Sequence, residues 1–106
     1  MGDRISISFV KGGEESVAFF SHWDGLLLVK AAKDYVKDLM KELASSSDGV
    51  GYPLSRLEPQ TVMVDFIRIF LSCPTRLQGR VWSNYYLGKD SSDGDNSNNG
   101  HHKIQL

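Results

Sequence analysis

The chain has 106 residues, of which 41% are hydrophobic and 24% are charged, and its formal net charge at pH 7 is −1. This length and composition predict one globular domain over residues 1–106, with a core that needs no metal or disulfide to hold it together. The near-neutral charge argues against a protein whose main task is to neutralise nucleic-acid phosphates, because that task needs a basic excess or a basic stripe.

The single cysteine, Cys73, cannot form an internal disulfide. The opening segment MGDRISISF lacks the long apolar run of a secretory signal, and the longest apolar stretches are too short to cross a bilayer. These features favour a cytoplasmic protein that does not enter a membrane.

Two apolar-rich runs near the start are joined by Gly12-Gly13, which predicts a β-hairpin with a two-residue turn. In that register Lys11 faces Glu14, and side chains alternate between two faces. The face predicted to meet the core carries Ile5, Ile7, Phe9, Ala18 and Phe20. The reverse face is predicted to carry Ser6, Ser8, Val17 and Phe19.

A helical periodicity then predicts an amphipathic helix from about Leu26 to Ala44. Ser21 or Asp24 is expected to supply an oxygen to its first free N–H groups. Its expected apolar stripe consists of Val29, Ala32, Val36, Leu39 and Leu43. A second helix is predicted from Pro59 to about Ser72, and its apolar residues on most sides predict burial on most sides.

The segment VWSNYYLG predicts a third strand, and HHKIQL predicts a fourth after a long polar loop. The element order is therefore ββααββ, and the predicted fold class is α+β. We expect a small antiparallel four-stranded sheet with two helices packed on one face, although the strand order stays open.

The polar loop at residues 90–99 is a candidate metal site. Asp93 and Asp95 alternate with other oxygen-bearing residues, as the first ligands of a calcium-binding loop do. The match then fails, because Asn98 replaces the glycine of the sharp turn and Ile104 replaces the bidentate glutamate. The alternative is a solvated loop built from residues that tolerate turns, and no other cofactor is indicated.

The segment SHWDG lies where the hairpin leads into the first helix. His22, Trp23 and Asp24 are candidate ligand-binding residues, because a helix N-terminus offers free N–H groups to an anion. The favoured alternative is structural: Trp23 packs at the end of the core, and His22 bonds to a neighbouring loop. No cysteine or histidine has the spacing of a known catalytic motif, so no catalytic residue is assigned.

The reverse face of the sheet is the candidate interface. Phe19, Trp82 and Tyr86 are predicted to share it, and a monomer would expose these rings to water. Bases can stack on aromatic sheets, but only within a basic surround. The sequence therefore predicts a homo-oligomer or a protein partner, and it argues against nucleic acid.

The segments MGDRISISF, SHWDG and DGDNSNNGHHKIQL together resemble a group of small uncharacterised proteins from prokaryotes and their viruses. Its members open with Met-Gly-x-Arg and carry a Ser-His-Trp-x-Gly element after the first hairpin. The resemblance implies a small cytoplasmic protein and brings no activity with it. It also favours a role beyond packing for His22, Trp23 and Gly25.

The sequence favours a non-enzymatic module that self-associates or binds a protein partner. The alternative is a small enzyme, or a metal- or ligand-binding protein, that uses His22 and the aspartate-rich loop 90–99.

Overall fold

The structure, a computed structural model, describes residues 3–45, 58–72 and 85–106. These ranges contain the following strands and helices: β1 (Ile5–Lys11), β2 (Glu14–Glu15), β3 (Ala18–Ser21), α1 (Leu26–Ser45), α2 (Pro59–Leu71), β4 (Tyr85–Gly88) and β5 (His101–Gln105). The predicted α+β class and the ββααββ order are confirmed, with the second predicted strand divided into β2 and β3.

β1 is the central strand of the sheet. It pairs antiparallel with β2 and β3 along one side, and β4 extends the sheet beyond β3. On its other side β1 pairs with β5, and this pairing is parallel. The sheet is therefore mixed where the sequence predicted an antiparallel one. β4 and β5 run in the same direction on opposite sides of the β1–β3 pair, so residues 89–100 must cross the sheet to join them.

A β-bulge in the hairpin changes which side chains face the core. The predicted turn is confirmed, because Lys11 pairs with Glu14. Past the turn, however, Ile7 pairs with Phe19 rather than with Ala18, so the returning strand contains one additional residue. A shift of one residue moves every later side chain to the opposite face. Phe19 consequently lies on the core face and Phe20 on the reverse face, which corrects the predicted assignment of both.

The core lies between the sheet and the two helices. It consists of Ile5, Ile7, Phe9, Phe19, Leu28, Ala32, Tyr35, Leu39, Val62, Met63, Phe66, Phe70 and Ile104. The helix α1 presents Leu28 and Tyr35 to it, while Val29 and Val36 of the predicted stripe are only partly buried. The expectation that α2 is buried on most sides is wrong, because Val64 is 69% exposed and Ile69 is 45% exposed.

Residues 89–100, here called the crossover loop, cover the reverse face of the sheet. Ser6, Ser8 and Phe20 on that face are fully buried. Asn96 of the crossover loop donates to Ser6 Oγ at 2.9 Å, and the backbone N–H of Asp95 donates to the Tyr86 hydroxyl at 2.8 Å. This loop, for which the sequence suggested a solvated connection, thus packs as a second layer over the sheet.

Within residues 3–45, 58–72 and 85–106, neither helix is both long enough and apolar enough to cross a membrane.

Candidate functional site

The start of α1 is held by a side-chain pair rather than by a conventional cap. The Ser21 hydroxyl donates to Asp24 Oδ2 at 2.8 Å, and the Asp24 backbone N–H donates to Ser21 Oγ at 3.1 Å. Asp24 does supply an oxygen to the first helical N–H groups, as predicted, but it is the backbone carbonyl, which accepts the Leu27 N–H at 3.2 Å. Asp24, a predicted ligand-binding residue, is therefore engaged in closing the turn.

His22 and Trp23 form an edge-to-face ring pair with 4.5 Å between centroids. Trp23 does not close the end of the core as expected, since 53% of its surface is exposed. Leu26 and Leu27 follow it at 60% and 66% exposure. We call these three side chains, Trp23, Leu26 and Leu27, the Trp23 patch.

The predicted metal ligands have other partners in the crossover loop. Asp93 Oδ2 accepts the Lys89 backbone N–H at 2.9 Å, and Asp95 Oδ1 accepts the Ser97 backbone N–H at 3.0 Å. The other oxygen of Asp95 lies 3.0 Å from Nε of Arg4. Across the described ranges, no three histidine, cysteine, aspartate or glutamate side chains are grouped so that they can hold a metal ion.

The Asp95 carboxylate ionises more readily than an ordinary aspartate, because its pKa is lowered. The Ser97 hydrogen bonds are the main reason that the pKa of Asp95 is lowered, and the charges of Arg4 and His22 lower it further. The described contact of the His22 side chain is its ring pair with Trp23, and the predicted hydrogen bond from His22 to a neighbouring loop stays a prediction. Asp93 takes part in a separate turn of the crossover loop.

Of the three residues predicted to form an interface, the two that the structure describes, Phe19 and Tyr86, do not share a surface. Phe19 is 2% exposed and lies in the core, so its assignment to an interface is wrong, and the cause is the bulge. Tyr86 is 41% exposed and stacks on Phe20 with 4.8 Å between ring centroids. Trp82 lies outside the described residues.

A polar network under the crossover loop was not found by sequence reasoning. His101 places Nδ1 2.7 Å from Ser6 Oγ and Nε2 3.0 Å from Ser8 Oγ. Ser8 donates to Glu15 Oε2, which also lies 3.3 Å from His101 Nε2. The Ser8 hydrogen bond is the main reason that the pKa of Glu15 is lowered, and His101 and Lys103 lower it further.

This polar network resembles a relay of serine, histidine and carboxylate, but its hydroxyls are closed to a substrate. Ser6 and Ser8 have no exposed surface, and Asn96 already occupies one side of Ser6 Oγ. Ser6 and Ser8 are buried anchor points of this network, and each of their hydroxyls has hydrogen-bond partners. Since His101 lies 95 residues from Ser6, only the β1–β5 pairing reveals the network, and no local sequence signal marks it.

A recess between α1 and α2, here called the interhelical groove, has a volume of about 450 Å³. It is lined by Ala31, Asp34, Tyr35, Asp38, Leu39, Glu42, Asp65, Phe66, Arg68, Ile69 and Phe70. The Tyr35 hydroxyl donates to Asp65 Oδ2 at 2.7 Å and ties the two helices together. Arg68 donates to the other oxygen of Asp65 through Nε at 3.2 Å and Nη2 at 2.8 Å.

Comparison with models of protein families, with curated proteins and with solved structures finds no match for this chain. Two features of the described residues are suited to contact with another molecule, namely the Trp23 patch and the interhelical groove.

Proposed function

We propose that the protein is a non-enzymatic interaction module that self-associates through the Trp23 patch. The observation that carries this proposal is the exposure of three large apolar side chains, by 53%, 60% and 66%, within five consecutive residues. Single exposed leucines are ordinary on protein surfaces, whereas a tryptophan beside two leucines concentrates apolar surface at one place.

The Trp23 patch suits association for a physical reason. Tryptophan is enriched among the residues that contribute most to binding, because burying its large ring in an interface removes a large apolar area from water. An apolar patch is complementary to itself, so two copies related by a two-fold axis can cover both patches in one contact. Three anchoring side chains make a small interface, and we expect a dissociation constant of about 1 μM or weaker.

The non-enzymatic part of the proposal is supported by the polar network. Ser6, His101 and Glu15 are residue types that catalyse acyl transfer, yet the Ser6 hydroxyl is fully buried and bonded on two sides. A nucleophile must reach its substrate, so we assign this network to holding the crossover loop. The proposal also places the protein in the cytoplasm, on the basis of its single cysteine.

Analytical ultracentrifugation over a wide concentration range tests self-association. We expect the sedimentation coefficient to rise with concentration, and Leu27→Ser to weaken association by about tenfold because it removes an apolar anchor. The matched control is Val64→Ser, which removes a comparably exposed apolar side chain from α2. A wild-type chain that stays monomeric at every concentration contradicts the proposal, as does equal weakening by both variants.

A further inference from the structure

We propose that Asn99 is a modification site, at which the side-chain amide converts to aspartate or isoaspartate when the crossover loop lifts from the sheet. The docked loop suppresses this reaction, so the modified fraction of the protein records how often the loop opens. The reaction involves none of the residues of the Trp23 patch and is therefore separate from self-association.

Asn99 is the only asparagine in the sequence that precedes a glycine. Asparagine is a thermally labile residue, and glycine has no Cβ atom to shield its own backbone nitrogen. The side chain of Asn99 therefore has easier access to the next backbone nitrogen than any other asparagine of the chain has. The fold requires this glycine, because Gly100 has a φ of +77° directly before β5, a left-handed conformation that strains other residues.

The reaction consumes water and releases ammonia. Hydroxide removes the proton of the Gly100 N–H, and the nitrogen attacks Cγ of Asn99 to form a cyclic succinimide. The bond from Cγ to the side-chain nitrogen breaks, and that nitrogen takes a proton from water and leaves as ammonia. Water then opens the ring at either carbonyl. The product is aspartate, or isoaspartate with an additional carbon in the backbone.

The peptide group between Asn99 and Gly100 is held at both ends. Its N–H belongs to Gly100 and donates to the backbone carbonyl of Asn96 at 2.7 Å. Its oxygen belongs to Asn99 and accepts from Nε2 of His102 at 2.9 Å, since a carbonyl oxygen only accepts. The proton that hydroxide must remove is therefore engaged, and the peptide group cannot rotate while both bonds hold.

The side-chain amide of Asn99 is engaged as well. The Arg4 carbonyl accepts the Asn99 backbone N–H at 2.9 Å and its Nδ2 at 3.3 Å. The Arg4 backbone N–H in turn donates to Asn98 Oδ1 at 3.1 Å. These three bonds dock the end of the crossover loop beside the start of β1. Opening the loop breaks them and frees the amide to meet the Gly100 nitrogen.

Modification would weaken the pairing of β5 with β1. An aspartate at position 99 places a carboxylate oxygen where the amide donated to the Arg4 carbonyl, so a hydrogen bond becomes a repulsion. Isoaspartate also lengthens the backbone before Gly100, whose carbonyl accepts the Ser6 N–H at 3.1 Å where the β1–β5 pairing begins. A loop that has opened long enough to react would thus dock less firmly afterwards.

Incubation of the full chain in mildly alkaline buffer, followed by peptide mapping with mass spectrometry, tests the proposal. The same measurement in urea gives the rate for the unfolded chain. In urea we expect Asn99 to convert faster than Asn96 and Asn98. In native buffer we expect Asn99 to convert at least about tenfold more slowly than in urea, because the reaction must wait for the loop to open.

Asn98→Ala removes the acceptor of the Arg4 N–H and leaves the reactive pair unchanged. It should raise the conversion rate of Asn99 in native buffer, relative to its own rate in urea, by about fivefold, which is the effect of one lost hydrogen bond. Ser91→Ala, elsewhere in the same loop, is the matched control and should leave this ratio within about twofold of the wild-type value.

A second comparison tests the consequence of the modification. Asn99→Asp introduces one of the two products, and Asn98→Asp adds the same charge while keeping an oxygen that accepts the Arg4 N–H. Hydrogen exchange at the Ser6 amide should be about tenfold faster in Asn99→Asp, and within about twofold of the wild type in Asn98→Asp. The amide spectrum of each variant confirms that it is folded.

Four results would overturn the proposal. The first two are no conversion of Asn99 in urea, and equal rates in native buffer and in urea. The others are equal effects of Asn98→Ala and Ser91→Ala on the rate, and equal exchange of the Ser6 amide in Asn99→Asp and Asn98→Asp.

Discussion

Gly94 lies against the ring of Tyr86 so closely that a Cβ atom on Gly94 would be 2.6 Å from Cε2 and 2.7 Å from the hydroxyl oxygen of that ring. The same Cβ would be 2.9 Å from Phe20, on which Tyr86 stacks. At Gly94 the crossover loop thus approaches the sheet more closely than a residue with a side chain could.

Gly94→Ala should lower the free energy of unfolding by about 1–3 kcal/mol, because a methyl group must push the loop away from two stacked rings. Chemical denaturation measures this change. Ser91→Ala, elsewhere in the same loop, is the control and should change stability by less than about 0.5 kcal/mol. Equal stability of Gly94→Ala and the wild type would show that the loop does not pack on the rings.

Ser16 stabilises the bulge that sets the strand register. Its Oγ accepts the Phe9 backbone N–H at 3.0 Å, and that N–H lies within a buried strand. Ser16→Ala leaves this N–H without its acceptor and should reduce stability by about 1–3 kcal/mol. Hydrogen exchange at the Phe9 amide should accelerate as well. Thr61→Ala removes an exposed hydroxyl from α2 and should leave that amide protected, whereas an unchanged Phe9 amide in Ser16→Ala contradicts the assignment.

Glu15 should make the stability of the protein depend on pH. Because the pKa of Glu15 is lowered in the folded state, its ionised form stabilises the fold above the ordinary value of 4.5, and this contribution is lost as the pH falls through the lower, folded pKa. Glu15→Gln should therefore destabilise the protein near neutral pH by about 1 kcal/mol or less, since the side chain is partly exposed.

The difference between the wild type and Glu15→Gln should shrink when unfolding is measured below pH 4.5. Glu14→Gln removes the same charge from the adjacent position and controls for net charge. A difference that persists unchanged into acid would mean that the polar network does not favour the ionised carboxylate.

Phe66 of α2 packs against aromatic rings of the sheet and of both helices. Its ring centroid lies 5.6 Å from that of Phe9, 6.2 Å from that of Phe19 and 5.3 Å from that of Phe70. Phe66→Leu should lower the free energy of unfolding by about 1–3 kcal/mol, because these ring contacts are lost and a small void remains. Val64→Ala, on the exposed side of α2, should change it by less than about 0.5 kcal/mol, and thermal unfolding of both variants makes the comparison.

The helices and the first turn could be predicted from the sequence because their signals are local. Pro59 begins α2, the periodic apolar residues outline α1 from Leu26, and Gly12-Gly13 brings Lys11 opposite Glu14. Each of these signals depends on residues that are close together in the sequence. The prediction of a ββααββ α+β fold followed from them.

The errors in the predicted interface and in the predicted metal loop have two causes. One is a shift of the strand register by one residue, and the other is a contact between residues that are distant in the chain. The bulge near Ser16 moved Phe19 into the core and removed it from the predicted interface. Residues 89–100 cross the sheet, bury Phe20 and place Asp95 beside Arg4. The reverse face of the sheet is therefore covered where it was predicted to be exposed, and Asp95, a predicted metal ligand, is in an ion pair. Neither event leaves a periodic pattern, because a bulge needs one extra residue and a crossover needs only enough length.

The parallel pairing of β1 with β5 bears on how the protein is made. Ser6 and His101 meet although 95 residues separate them, so the central strand obtains its second neighbour only after residues 101–105 have been synthesised. Until β5 pairs with it, that side of β1 presents unpaired backbone groups, and closing so long a loop costs more chain entropy than closing the β1–β3 hairpin.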